Sequence, residues 1–178
     1  MTCLLSGIVE IDETFIGGKE SNRHESKKIN HGKRGAVNKT VVLGMKERNG
    51  NTKISVVPDR SHNTLKTAIT ANVEPDTLIV TDEWKSYKGI GYEHLSVNHS
   101  AKEFVDSIAH TNSIESVWAV LKRAFYGIYH SFTMKHTLNY VQEVQYRLNT
   151  KDNDYFQNFN ELIGLSVGKR LTYQELIA

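Results

Sequence analysis

Apolar residues form short runs bounded by turn residues over the first hundred positions, a pattern that predicts β-strands. The first predicted strand covers about residues 7 to 16. Two more, KTVVLGMKER and TKISVVPD, flank the turn sequence RNGN and are therefore expected to pair as an antiparallel hairpin. The stretch DTLIVTDEW is apolar almost without interruption, which is typical of a strand buried on both faces, and a short strand is predicted at HLSVNHS.

Other stretches carry apolar residues at helical spacing. In SHNTLKTAITANV, Ser61 or Asn63 is available to cap a helix. Two longer amphipathic helices are predicted, one from about Asn112 to Tyr126 and one from about Lys135 to Asn149. The order βββαββαα predicts an α/β fold in which helices flank a mixed β-sheet, and it indicates a single domain over residues 1–178.

Composition narrows the class of protein. With 178 residues, 39% hydrophobic and 24% charged, the chain is long enough to bury one core. The single cysteine, Cys3, excludes an internal disulfide and any zinc module built on several cysteines. We find no signal-peptide pattern and no run of 18 apolar residues, so we expect a cytoplasmic protein with no membrane partner.

Positive charge is unevenly distributed, although the net charge is only +2. Residues 19–39 hold seven Lys or Arg against two Glu, with almost no apolar periodicity. Such a segment is most often a solvated linker. Because it follows an acidic strand directly, a second interpretation is that it tracks a phosphate backbone, with Lys33 and Arg34 as DNA contacts.

Carboxylates interrupt the apolar runs in three predicted elements: Asp12 in the first strand, Asp82 at the end of the buried strand, and Glu115 on the following helix. A buried carboxylate is costly unless it is paired or bound to metal, and three together repel one another unless a cation lies between them. If the elements meet, oxygen ligands of this kind suit Mg²⁺. Glu13 and Glu83 alternate to the opposite strand faces and are expected at the surface or supporting the site.

The helix that carries Glu115 offers further groups near the same face. Asn112, one turn earlier, is a substitute for the third ligand, but an anionic oxygen holds Mg²⁺ better than an amide. Lys122 lies almost two turns beyond Glu115 and is expected, with Arg123, to contact DNA phosphates. The ordinary alternative is a surface Glu followed by a basic helix end that the helix dipole favours.

Aromatic and histidine side chains near this helix have two interpretations each. His110 precedes the helix and is expected either to contact a phosphate or leaving oxygen, or to hydrogen-bond the helix start. Trp84 and Trp118 are candidates for stacking on an unpaired base. Trp118 also lies on the apolar stripe of the helix, which favours a place in the core.

The chain contains four longer motifs in the order VEIDETFIGGKE, VTDEWKSY, VNHSAKEFV and HTNSIESVWAVLKRAFYGIYHSFTMKHTLNYVQEVQYRLN. Together they resemble the catalytic domain of bacterial insertion-sequence transposases of the ISXO type, members of the DDE superfamily with an RNase H-like fold. The resemblance covers a core of about residues 7–150 and leaves a tail at 151–178. It implies metal-dependent DNA strand cleavage and strand transfer, with two Mg²⁺ or Mn²⁺ ions held by the catalytic residues Asp12, Asp82 and Glu115.

The same resemblance implies which partners the protein binds, and alternative functions remain open beside it. DNA is expected as element ends and as target, with the protein acting as a homodimer or larger assembly near the bacterial nucleoid. Such transposases usually carry an N-terminal zinc-ribbon and helix-turn-helix region, which this sequence lacks. The chain could therefore be a plain nuclease, or a catalytically silent remnant that binds DNA or a full-length transposase.

Overall fold

One five-stranded mixed sheet forms the centre of the fold, in a computed structural model that describes residues 3–18, 24–28, 39–82, 85–97, 110–130 and 132–177. The strands are β1 (Ile8–Ile16), β2 (Thr40–Glu47), β3 (Thr52–Val57), β4 (Leu78–Asp82) and β5 (Glu93–Val97). Their order across the sheet is β3-β2-β1-β4-β5. The β1 strand is antiparallel to β2 and parallel to β4, so the first strand of the chain lies in the middle of the sheet.

Five α-helices accompany the sheet among the described residues. They are α1 (His62–Thr70), α2 (Asn112–Arg123), α3 (Thr137–Asn149), α4 (Tyr155–Ser166) and α5 (Tyr173–Ile177). A π-helical turn, Ala124–Ile128, follows α2, so the predicted helix ends as regular α-helix three residues early. Short 3₁₀ turns lie at Glu25–Lys27, Lys85–Tyr87 and Met134–His136. In the described ranges, none of the helices has the length and apolar content needed to cross a membrane.

Local sequence signals account for the hairpin and for the start of α1. Asn49 adopts a left-handed φ of 58° in the β2–β3 turn, a conformation that asparagine tolerates better than most residues. At α1, the Ser61 hydroxyl accepts a hydrogen bond from the Thr64 backbone N–H and satisfies one of the free donors of the first turn. The predicted hairpin and the predicted cap are therefore confirmed.

The two faces of the sheet bury separate cores. On one face, Val9 and Ile11 of β1 pack in the cluster that contains α1 residues such as Leu65. On the other face, α2 and α3 pack over the sheet in a second cluster. Because side chains alternate along a strand, Glu10 and Asp12 lie on the face covered by α2. The β1 strand thus directs Glu10 and Asp12 toward α2, and Val9 and Ile11 toward α1.

Candidate active site

Asp12 and Asp82 lie on neighbouring parallel strands. In the β1–β4 pair, Ile8 is opposite Leu78 and Glu10 is opposite Val80. Continued by two positions, this register brings Asp12 level with Asp82, the last residue of β4. Residues in register on parallel strands direct their side chains to the same face of the sheet. The two aspartates that the sequence singles out are therefore on adjacent strands, on the α2 side.

Asp12 is oriented by a tryptophan from α2. The Trp118 indole Nε1 donates a hydrogen bond of 2.8 Å to Asp12 Oδ2. Trp118 itself is only 5% exposed. Trp118 therefore belongs to the core, as its position on the apolar stripe predicts. No local sequence pattern indicates its hydrogen bond to Asp12, because the two residues are 106 positions apart in sequence.

A glycine in β2 makes room for this tryptophan. Gly44 is the register partner of Asp12 in β2. A Cβ atom at this position would lie 2.5 Å from Trp118 Cη2 and 2.8 Å from Ile114 Cδ1, which is closer than side chains can approach. A glycine in the interior of a strand often marks a close approach of another group, so Gly44 was the sequence signal for the contact.

The surroundings of Asp12 disfavour its ionised form. Burial is the main cause that raises the pKa of Asp12 above its usual value, and the negative charges of Asp82 and Glu115 raise it further. The hydrogen bonds from Trp118 and from the Glu13 backbone act in the opposite direction. A cation bound between these carboxylates would relieve the repulsion.

The aspartates are better placed for a metal than the third predicted ligand. Asp82 Oδ1 is buried and has no hydrogen-bond partner among the described residues. Glu115 and Asn112 are both exposed on α2, and Glu115 lies about one turn before Trp118. Within the described ranges, no three Asp, Glu, His or Cys side chains are grouped closely enough to hold one ion. Because Mg²⁺ typically binds one or two carboxylates and completes its shell with water and phosphate oxygens, the pair fits its chemistry.

Glu10 is fully buried and caps the N terminus of α2. Its Oε2 accepts hydrogen bonds from the backbone N–H groups of Ser113 (2.8 Å) and Ile114 (3.1 Å). Its Oε1 accepts from Arg48 Nε at 2.8 Å, and the Arg48 side chain is 16% exposed. The helix dipole and the guanidinium both favour the carboxylate, which explains a charge in the middle of an apolar strand.

His110 lies beside this buried pair. Its backbone carbonyl accepts a hydrogen bond of 2.9 Å from Arg48 Nη2, and its Nδ1 approaches Glu10 Oε1 to 3.3 Å. The side chain remains 40% exposed. Of its two predicted roles, the contacts favour support of the start of α2, and contact with DNA stays a prediction.

Glu13 occupies the opposite face of β1, beside the Tyr87 hydroxyl. Burial is the main cause that raises the pKa of Glu13 to about 7, and the charges of Asp12 and Asp82 add to it. Tyr87 acts in the opposite direction, although Glu13 Oε1 and Tyr87 Oη make no hydrogen bond of normal geometry with any described residue. Glu13 is thus a half-buried neighbour of the site rather than a surface group.

The predicted phosphate contacts are only partly described. Lys122 and Arg123 are both exposed in the last turn of α2. Lys33 and Arg34 lie outside the described residues, as do Glu83 and Trp84. Contact of the four basic side chains, Lys33, Arg34, Lys122 and Arg123, with DNA therefore stays a prediction.

Comparisons with known proteins bear on the family and on the fold of the chain. Residues 4–149 match the family described as the ISXO2-like transposase domain. A Haemophilus influenzae protein named "Uncharacterized transposase-like protein" is 28% identical over 100 residues, which cover 54% of this chain and 80% of that protein. The crystal structure of the catalytic core domain of BIV integrase has a TM-score of 0.54 at 12% identity, covering 90% of this chain and 98% of that one. At this identity the likeness concerns the fold alone, and it confirms the predicted α/β, RNase H-like class.

Proposed function

Because the chain belongs to the ISXO2-like transposase domain family, we propose that it is a metal-dependent enzyme that cuts DNA and transfers the cut strand to target DNA during transposition. The observation that carries the proposal is the register of the parallel strands β1 and β4, which, continued from Glu10 and Val80, brings Asp12 level with Asp82 on the face covered by α2. The unpartnered Asp82 Oδ1 and the mutual repulsion of the acidic groups both support a cation at this point.

Asp12 and Asp82 would hold the metal, with Glu115 as the third ligand and Asn112 as its substitute. Mg²⁺ is the expected ion, with Mn²⁺ as a replacement, and the family resemblance implies two ions. When bound, the metal makes an oxygen nucleophile reactive at neutral pH and stabilises negative charge on the attacked phosphate. Carboxylate ligands with water and phosphate oxygens suit both tasks.

The protein's own groups would fix the ligands and the substrate. The Trp118 hydrogen bond holds one oxygen of Asp12 in a fixed direction. The Glu10 cap fixes the start of α2, and with it the position of Glu115. Lys122 and Arg123 at the other end of α2 would neutralise DNA phosphates, which contributes affinity without reading sequence.

Cleavage and joining of labelled DNA that carries candidate element ends tests the proposal. With Mg²⁺ or Mn²⁺ the wild type should cut and join, and Asp82→Asn should lower the rate by roughly a hundredfold or more, because several kcal/mol of charge stabilisation is lost. The matched control is Asp152→Asn, since Asp152 is an exposed aspartate on the segment that follows α3. Equal activity of Asp82→Asn and wild type would refute the assignment.

One observation favours a second candidate function. The described acidic groups include no cluster of three around one point, and Glu115 is exposed on α2. A catalytically silent protein that binds DNA or a full-length transposase would have no need of such a cluster. Metal-independent DNA binding without cutting, by protein whose fold is intact, would support this second function.

A further inference from the structure

The segment after α3 presents its apolar side chains to solvent. Within the described residues, ten large apolar side chains between positions 155 and 176 are exposed by 47% or more. They are Tyr155, Phe156, Phe159, Leu162, Ile163, Leu165, Val167, Leu171, Tyr173 and Leu176. An exposed apolar patch of this extent is typical of an interaction surface. It lies beyond residues 4–149, the part of the chain that matches the transposase family.

The α4 helix has the opposite arrangement from an ordinary surface helix. None of its 12 residues is buried, and the one half-buried member is polar, Asn158. Asn158 donates a hydrogen bond of 3.0 Å to the Thr150 carbonyl, and the Asp154 carboxylate caps the first turn. The polar contacts of α4 are therefore made with the described residues of its own chain, whereas these residues leave its apolar side chains about half exposed or more.

A helix of this length needs packing to be stable. Isolated helices shorter than about 12 to 15 residues are marginal in water, and most helical stability in proteins comes from burial of an apolar face. The cap at Asp154 contributes only about 1 kcal/mol. Since α4 buries no apolar face against the described part of the chain, the missing contribution must come from another surface.

The size of the exposed surface suits a stable protein interface. Tyr155, Phe159 and Leu162 follow one another at spacings of four and three residues, and Phe156 and Ile163 lie beside them; we call these five side chains the α4 stripe. With their exposed neighbours up to Leu176, they present roughly 1,000 Å² of apolar surface, judged from their exposed fractions and from 150–250 Å² per aromatic side chain. A standard interface buries about 800 Å² per partner.

The chemistry of α4 identifies the kind of partner. Its single charged residue is Glu161, so it would not attract the phosphates of DNA. A helix that lies on a membrane surface carries Lys and Arg on its polar face, and α4 has neither. The α4 stripe contains no charged side chain, so two identical stripes can meet without bringing like charges together. An identical surface on both partners is what a two-fold dimer requires.

We propose that α4 is a dimerisation helix: its stripe, together with the exposed apolar side chains that follow it up to Leu176, packs against the same surface of a second copy of this chain. The two-fold axis passes close to Phe159, near the middle of the helix, so each Phe159 contacts its counterpart. This pairing does not depend on the proposed chemistry, because a protein inactive on DNA would still dimerise.

Disulfide trapping tests the geometry directly. In a Cys3→Ser background, which removes the exposed native thiol, Phe159→Cys should form a covalent dimer under mild oxidation. Gln157→Cys is the matched control, because Gln157 is on the opposite side of the same helix. Cross-linking of Phe159→Cys in clear excess over Gln157→Cys supports the pairing. Equal cross-linking of both, or of neither, overturns it.

The mass of the purified full chain in solution gives an independent test. Light scattering after gel filtration should show a dimer for wild type and a monomer for Phe159→Glu. Leu138→Glu is the control, because Leu138 is an exposed leucine (43%) on α3 that is not part of the stripe, and this variant should remain dimeric. Wild type that is monomeric at micromolar concentration would refute the proposal, and so would loss of the dimer in Leu138→Glu.

Discussion

Replacing Gly44 with alanine tests how α2 is seated on the sheet and therefore how Asp12 is held. The new Cβ would lie 2.5 Å from Trp118 Cη2, 2.7 Å from Trp118 Cζ2 and 2.8 Å from Ile114 Cδ1. Both neighbours are buried, at 5% and 0% exposure, so neither can move into solvent without displacing α2. Overpacking of this kind costs about 1–3 kcal/mol.

Backbone conformation does not add to this cost. Gly44 is absent from the described residues with positive φ, so alanine can adopt the same backbone angles. A compatible Gly→Ala change stabilises by about 0.4–1 kcal/mol through the unfolded chain. Taking the middle of each range, the net loss should be about 1.3 kcal/mol. Since 1 kcal/mol corresponds to about 2–4 °C in a domain of this size, we expect the melting temperature to fall by roughly 3–5 °C.

A double-mutant cycle distinguishes the steric contact from other effects. Trp118→Phe removes the outer ring atoms that Gly44→Ala would strike, and it also removes the hydrogen bond to Asp12, at a cost of about 1.5–3 kcal/mol. In urea unfolding, the double mutant should be more stable than the sum of the single changes predicts, by about 0.5–3 kcal/mol. Gly127→Ala is the control, because its Cβ would meet nothing within 4 Å. Strict additivity, or an unchanged stability of Gly44→Ala, would refute the reasoning.

Three other substitutions have defined outcomes. Glu10→Ala leaves the Arg48 guanidinium without its buried carboxylate and should lower the free energy of unfolding by about 3–5 kcal/mol in urea titrations; a loss below about 1 kcal/mol would contradict the cap. Because the pKa of Glu13 is raised from 4.5 to about 7, the folded protein retains a proton that the unfolded chain releases, and stability falls as pH rises between these values. Glu13→Gln should therefore raise the melting temperature at pH 8 by much more than at pH 4, and identical pH profiles of mutant and wild type would exclude this linkage. Asp12→Asn retains an acceptor for Trp118 and removes a charge that burial disfavours, so thermal melts should show no loss of stability while DNA cutting is abolished; unimpaired cutting would be inconsistent with a metal ligand.

Elements with a local signal could be predicted from the sequence. The β2–β3 hairpin follows from two apolar runs around RNGN, and the start of α1 follows from Ser61 before a helical pattern. In both cases the information lies within about a dozen residues of the element itself. The pairing of β1 with β4 is different, because it is only a condition of the predicted site: Asp12 and Asp82 can meet only if the two strands are neighbours, and the structure meets that condition.

Contacts between distant residues could not be predicted in this way. Glu10 caps a helix 103 positions further along the chain, and nothing in the local pattern of β1 indicates that partner. Burial of Trp118 follows from its stripe, but its hydrogen bond to Asp12 depends on the depth at which α2 packs over Gly44. The periodicity of apolar side chains predicts which face of a helix or strand is buried. The contacts of Glu10 and Trp118 depend in addition on how α2 is positioned relative to the sheet, which periodicity does not give.

The central place of β1 also matters while the chain is being synthesised. This strand leaves the ribosome before the other strands of the sheet. The β2 strand can cover one edge soon afterwards, but the other edge pairs with β4, which begins some 60 residues after β1 ends. At about 5–20 residues per second, that edge waits roughly 3 to 12 seconds for its partner. During this interval the nascent protein presents an apolar strand with an open row of N–H and C=O groups, which is a template for misassociation with other chains. We therefore expect the emerging chain to depend on chaperones that bind β1 until β4 has been made.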